Sequence, residues 1–319
     1  SGMEIEIAVR KYGVPHLFSP AASKEAEALP NEIREEDLEG RIDLRDIPLV
    51  TIDGEDARDF DDAVYCEPVA WGKSKAWRLI VAIADVSHYV KPGHPLDSDA
   101  ISRATSVYFP RRVIPMLPEK ISNGLCSLKP EVDRLCMVCD AVIDMDGEVQ
   151  AYQFYPAVMH SAQRFTYNTV WEILSNSNGP EAARFKHLKK NLDRLYSLYK
   201  VLRAARDKRG AIDFETTETQ IISNALGKIE RIEPRVRNEA HRVIEECMLA
   251  ANVCAADFLD KNGHASLFRV HAEPSAEKLM TLKQVLRTAG LNLGGAEKPR
   301  PKDFAKLIEE IKPRPDASM

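Results

Sequence analysis

Thr51-Ile52-Asp53-Gly54-Glu55-Asp56-Ala57-Arg58-Asp59-Phe60-Asp61-Asp62-Ala63 packs six acids into the ten positions from Asp53 to Asp62. It follows directly on a short apolar strand, Ile47-Pro48-Leu49-Val50-Thr51-Ile52. An acidic run of this kind reads either as a solvated loop or as a cation site. Three features favour the cation. Gly54 supplies a tight turn, Phe60 sets a large apolar group among the acids, and the cluster lies between two segments that read as buried strands. Clustered carboxylates need a compensating charge, and hard oxygen ligands select Mg²⁺ or Mn²⁺ over Zn²⁺. Two such ions would clamp the attacking and leaving oxygens of a phosphoryl displacement. An EF-hand does not fit, because no D-x-[DN]-x-[DN]-G run with a closing glutamate is present.

Downstream, Arg78-Leu79-Ile80-Val81-Ala82-Ile83-Ala84-Asp85-Val86 is too continuously apolar for an exposed strand. Leu135-Cys136-Met137-Val138-Cys139-Asp140-Ala141-Val142-Ile143 reads as another buried strand. A hairpin at Met145-Asp146-Gly147 joins it to a strand beginning at Val149. Residues three apart on a strand face opposite ways, so Cys136 and Cys139 can neither pair nor share a metal. Strands concentrate in 47–160 and helices follow. Phe185, Leu188, Leu192, Leu195, Tyr199 and Leu202 recur at helical spacing, as do Ala240, Ile244, Cys247, Ala251 and Phe258. A third helix is capped near Ser275, and a short one covers Asp303 to Ile311. Upstream, residues 1–45 read as a lead-in whose acidic segment, roughly Ser23 to Glu39, is expected to be helical and solvated. The fold class expected is α+β: a twisted, mostly antiparallel sheet or partial barrel, with helices covering it beyond residue 168.

The 319 residues are 44% hydrophobic and 29% charged, which excludes a disordered chain, a collagen-like fibre and a disulfide miniprotein. Six scattered cysteines do not form a disulfide framework. No uncharged apolar run approaches the roughly 18 residues of a membrane helix, so no membrane partner is expected. The acidic N-terminus lacks the apolar core of a signal peptide, and a cytoplasmic location is the expectation. A net charge of −5 does not advertise nucleic-acid binding, but a site responds to its local field.

From Val50 to Ala63 the chain resembles the signature of the ribonuclease II/ribonuclease R family, within its RNB catalytic domain. The resemblance continues through Val81-Ala82-Ile83-Ala84-Asp85-Val86-Ser87, Thr105-Ser106-Val107-Tyr108-Phe109-Pro110 and Val113-Ile114-Pro115-Met116-Leu117-Pro118. It runs on through Ser122-Asn123-Gly124-Leu125-Cys126-Ser127-Leu128 and Ile244-Glu245-Glu246-Cys247-Met248-Leu249-Ala250-Ala251-Asn252. It implies a processive 3′→5′ hydrolytic exoribonuclease that uses Mg²⁺, acts on single-stranded RNA 3′ ends and releases nucleoside 5′-monophosphates. By position the resemblance makes Asp53 and Asp62 metal ligands, with Asp59 and Asp61 completing the two-metal site and positioning water.

Such an enzyme holds bases without reading them, and aromatic stacking does this at ~1–3 kcal/mol per base. Tyr108, beside Arg111 and Arg112, has the mix of ring and phosphate contact expected; taken alone it reads as a packing residue. The resemblance makes it a base-stacking tyrosine, pairs it with Phe214, and sets Tyr167 near the scissile end. It also puts one glutamate of the second helix near the terminal nucleotide. Helical periodicity does not choose between Glu245 and Glu246, and Glu245 is preferred. His88, His160, His241 and His271 read as structural or surface residues.

The resemblance is to part of the family's architecture. Nothing similar to its cold-shock or S1 domains appears. Residues 1–45 look like the linker after a cold-shock domain, and 46–319 like an incomplete RNB domain. The family's Thr-Ser-Pro-Ile-Arg-Arg-Tyr type segment, whose arginine clamps the scissile phosphate, has no counterpart before Met319. A chain cut in this way is expected to expose apolar surface and self-associate. Two other readings compete: a catalytically silent RNA-binding fragment, and a Mg²⁺ phosphohydrolase acting on small phosphates. The stacking rings speak against the second.

Overall fold

The computed structural model describes residues 2–109, 112–212, 219–224, 228–234, 237–270 and 272–314. Helices α1 (Met3–Lys11) and α2 (Pro20–Ala28) and a 3₁₀ turn (Glu35–Leu38) precede strands β1 (Ile42–Asp43), β2 (Val50–Asp53), β3 (Asp62–Trp71) and β4 (Ser74–Ala84). Helices α3 (Val86–Tyr89) and α4 (Pro95–Arg103) then lead to a small hairpin, β5 (Val107–Phe109) with β6 (Arg112–Ile114), and a π-helical turn (Lys120–Leu125). Strands β7 (Asp133–Asp144), β8 (Val149–His160) and β9 (Gln163–Thr166) follow. Helices α5 (Tyr167–Ser175), α6 (Pro180–Arg184) and α7 (Lys186–Arg209) come next, then a ribbon of β10 (Thr219–Ser223) and β11 (Ile229–Pro234). The last described helices are α8 (Glu239–Lys261), α9 (Ala276–Thr288) and α10 (Pro301–Ile311).

Seven strands form one open sheet in the order β1-β8-β7-β4-β3-β2-β9. Four of its pairings are antiparallel, and only the edge pairs β1/β8 and β2/β9 run parallel. The mostly antiparallel sheet is therefore as expected, and it does not close into a barrel. The tight turn after β7 depends on Gly147, whose φ of +83° an L side chain rarely adopts and whose Cβ position would lie 2.6 Å from Ala205 Cβ on α7.

Both faces of the sheet are buried. On one, Leu79, Val81, Cys139 and Ala141 pack under α5, α7 and α8 through Val170, Leu192, Leu195, Ile244 and Cys247. On the other, Ile80, Ala82, Cys136 and Val138 pack with Ala22 and Ala26 of α2, Tyr89, Leu96, Ile121 and Leu125. Cys136 and Cys139 thus lie in opposite layers, as strand alternation requires. Two expectations change. Helices cover the sheet not only beyond residue 168 but also from 20–28 and 86–103, because an apolar run buried on both faces needs two lids. The acidic segment 23–39 is not one solvated helix. It is α2 followed by the 3₁₀ turn; α2 buries Ala22 and Ala26, and the turn buries Asp37. A separate small apolar cluster joins α9 and α10 through Leu286, Leu291, Leu293 and Leu307. Among the described residues, no helix is long and apolar enough to cross a membrane.

Candidate active site at the carboxylate loop

Strand β2 ends at Asp53 and β3 begins at Asp62, so the acids between them occupy the loop joining two neighbouring strands of the sheet. The loop's ends are fixed by the ladder: Asp53 aligns with Thr166 of β9 and Asp62 with Ile83 of β4. The Asp61 carbonyl accepts from the Ala84 amide at 2.9 Å. Phe60, the apolar residue among the acids, is buried in the second core layer. Its amide donates to Ser127 Oγ at 3.1 Å, while that hydroxyl donates to the Arg58 carbonyl at 2.9 Å and the Leu128 amide reaches the Phe60 carbonyl at 2.8 Å. The loop is anchored through its middle, so it is not a freely solvated acidic run.

This anchoring leaves the acids within one another's field. Burial pushes the Asp62 carboxyl up to about 6, with the charges of Asp53 and Asp61 adding to the effect. Asp61 is also raised, first by burial and then by Asp59 and Asp53. One oxygen of Asp62, Oδ2, is buried without a hydrogen-bond partner. A buried carboxylate oxygen in that state is costly unless something satisfies it. Hard oxygen donors, crowded negative charge and an orphaned buried oxygen fit a divalent cation such as Mg²⁺ or Mn²⁺. As the side chains stand, no three His, Cys, Asp or Glu groups among the described residues converge as a metal cluster.

Tyr108 lies on the β5–β6 hairpin, paired with Val113 across it. Its phenol is shifted upward, first by partial burial and then by Asp59, Asp61 and Asp53, which brings the hydroxyl into electrostatic reach of the acids. The residue is nonetheless 68% exposed, leaving the ring available for a ligand. Arg112, on the same hairpin, reaches Glu6 of α1 at 3.5 Å. Tyr167 opens α5 immediately after Thr166, the residue aligned with Asp53, and its ring stacks on His241 of α8 at 3.9 Å and 16°. Asn168 donates to Glu55 Oε1 at 2.8 Å and accepts from Asn238 at 3.2 Å, tying the loop to the N-termini of α5 and α8.

The two glutamates of α8 separate. Glu246 is buried and pairs with Arg206 of α7 at 2.8 Å. Glu245 bridges Arg206 at 3.1 Å and Arg237 at 2.7 Å, and lies one helical turn beyond His241 on the same face. The structure thus puts Asp53, Asp59 and Asp61 in electrostatic reach of Tyr108, and Asp53 and Asp61 in reach of Asp62, without gathering the carboxylates into one cluster; Tyr167 follows the residue aligned with Asp53, and Glu245 is engaged with two arginines. Arg111 and Phe214 lie outside the described residues. His241, read as structural or surface, is the ring partner of Tyr167, and sequence reading missed the loop ties Asn168 and Arg164. Arg164 donates from Nη2 to the carbonyls of Gly54 at 2.5 Å and Glu55 at 3.1 Å.

Residues 41–318 match the family described as RNB domain. Ribonuclease R of Escherichia coli (strain K12) is 52% identical over 319 residues, covering 100% of this chain and 39% of that protein. The chain therefore spans less than half the length of this relative. Among solved structures, Mycoplasma genitalium RNase R in complex with ribose-methylated single-stranded RNA superposes with a TM-score of 0.89 at 30% identity, over 99% of this chain and 48% of that one. The same protein in complex with double-stranded RNA gives a TM-score of 0.88, over 99% of this chain and 55% of that one.

Proposed function

The chain belongs to the RNB-domain family of ribonucleases, and on that premise we propose that it carries the metal loop of a processive 3′→5′ hydrolytic exoribonuclease. The substrate would be the 3′ end of single-stranded RNA and the products nucleoside 5′-monophosphates. The observation that carries this reading is the loop itself: the charges of Asp53, Asp59 and Asp61 raise the buried Asp61 and Asp62 carboxyls, Asp62 keeps an unsatisfied buried oxygen, and an exposed tyrosine lies in the same field.

Asp53 and Asp62 would hold Mg²⁺ or Mn²⁺, with Asp59 and Asp61 completing the set. A divalent pair held there would activate the attacking water and offset charge developing on the phosphoryl oxygens. The chain's own side chains do the rest. Tyr108 offers a ring face for a terminal base, in company with Phe214 by resemblance, and stacking holds the strand without reading its sequence. Arg111 and Arg112 would meet backbone phosphates. Tyr167, held flat by His241, would sit by the scissile end. Of the two glutamates, Glu245 is the one we assign beside the terminal nucleotide, since Glu246 is consumed by its buried ion pair. A cytoplasmic location accompanies this activity.

A second reading of the same residues is a silent RNA-binding fragment. Both are tested with 5′-labelled single-stranded RNA in Mg²⁺, Mn²⁺ or EDTA, beside Asp61→Asn. The first reading expects a ladder shrinking from the 3′ end that EDTA abolishes and Asp61→Asn slows by about a hundredfold or more. Folded protein that binds the RNA but yields no ladder would overturn the activity for this chain and leave the binding reading.

A further inference from the structure

The carboxylate loop carries six acids, and Arg164 meets it through its backbone carbonyls. Arg164 comes from β9, aligned with Thr51 of β2, and points to the opposite face from its buried neighbour Phe165. Its Nη2 donates to two successive backbone carbonyls, Gly54 at 2.5 Å and Glu55 at 3.1 Å. Its guanidinium carbon lies 5.4 Å from the Phe60 ring centroid, and its Nε is buried without a partner. The guanidinium thus spans the loop from its first turn to its apolar anchor. Next to it, Asn168 holds the Glu55 side chain at 2.8 Å.

We propose that Arg164 is a positioning residue, a clasp that pre-shapes the backbone of residues 54–60 so that the loop's aspartates can receive divalent cations. The proposal rests on the metal reading given above. The physical case is one of opposed signs. A cation beside a metal site repels the metal, so charge alone makes Arg164 a burden that any neutral replacement would relieve. Backbone order works the other way. Four carboxylates on a loose loop turn apart to relieve repulsion, and bringing them back costs part of the binding free energy. Arginine suits the task because its rigid, planar guanidinium keeps Nη2 on both carbonyls while lying by the Phe60 ring, which the compact, flexible lysine ammonium does less rigidly. Partners that orient metal ligands without touching the metal typically change affinity 10–100-fold when removed.

The test is Mn²⁺ binding by the full chain, read from the free-ion spin-resonance signal, for the parent, Arg164→Gln and Arg164→Lys. Hydrogen exchange at the amides of 54–60 is followed without added metal. The clasp expects both variants to bind Mn²⁺ more weakly, by ten- to a hundredfold for glutamine and less for lysine, with faster exchange in 54–60. Arg164→Gln binding Mn²⁺ as tightly as the parent, or more tightly, would overturn it, as would unchanged exchange. If the glutamine variant does not fold, the lysine variant carries the same test, since it keeps the charge and loses only the rigid plane. A parent that binds no Mn²⁺ would overturn the metal reading and the clasp together. A binding parent with an unaffected variant overturns the clasp alone.

Discussion

Glu245 and Glu246 are adjacent on α8, yet one guanidinium decides their different worth. Arg206 holds Glu246, whose side chain is 6% exposed, and Glu245, whose side chain is 36% exposed. Losing Glu246 removes a charge-assisted hydrogen bond from a largely buried side chain, at about 2 kcal/mol, while Arg206 keeps Glu245; a half-exposed pair is worth about 1 kcal/mol or less. Glu246→Ala is therefore expected to lower unfolding free energy by about 2 kcal/mol in urea titrations, and Glu245→Ala by under about 1 kcal/mol. Equal losses would refute the distinction. The helical wheel could not make it, because Arg206 arrives from α7, about 40 positions away in sequence. The same limit hid Arg164, whose partners are backbone carbonyls that leave no trace in residue identity. The aspartates were legible because their spacing is local, and Phe60 because an apolar ring among acids needs somewhere to go.

At the scale of elements, β4 and β7 were legible from apolar runs alone, and the hairpin between β7 and β8 from its turn residues. The segment 23–39 was not, because its acids look solvated until their partners are known. Asp37 accepts from the Arg34 side chain at 2.9 and 3.2 Å and from the Arg34 amide at 2.8 Å, and lies 3.0 Å from His88 Nε2. Nearby, Arg41 pairs with Asp85 at 2.6 Å and meets His88 Nδ1 at 3.2 Å. This network staples the 3₁₀ turn to α3. The Arg34 hydrogen bonds, against the opposing effect of burial, hold Asp37 down to about 2 from an ordinary 3.8. Because the folded value is the lower one, the stabilisation is complete above the unfolded value and fades as pH falls from about 4 toward 2. Asp37→Asn should melt earlier than the parent at pH 7, with the gap closing across that acid window. Melting curves taken from pH 7 to pH 2 check this, and a gap that widens on acidification would contradict it.

For the whole molecule, the two-sided sheet explains why so much apolar sequence is hidden, and also where it is not. Beyond the sheet, α8 shows Leu249, Val253 and Phe258 to solvent, and the extended stretch after it shows Leu267, Phe268 and Val270. Soluble monomers seldom leave large apolar patches uncovered. A cleft of about 860 Å³ opens between α8 and the β7–β8 hairpin, lined by Leu249, Val253, Phe258 and Tyr152. Its rim carries Glu148 and Asp257 along with Arg209 and Lys261. A face with both signs around an apolar centre can pair with its own copy, each patch meeting the same patch across a two-fold axis. A second copy of the chain is accordingly the expected occupant. Sedimentation equilibrium should show mass rising with concentration through the micromolar range, and Val253→Lys, which sets a charge in the centre of that face, should shift the chain toward monomer. Because Val253 is 63% exposed, the substitution should leave the melting temperature of the monomer nearly unchanged. A parent that stays monomeric at high concentration would show that this face is tolerated in water as it stands.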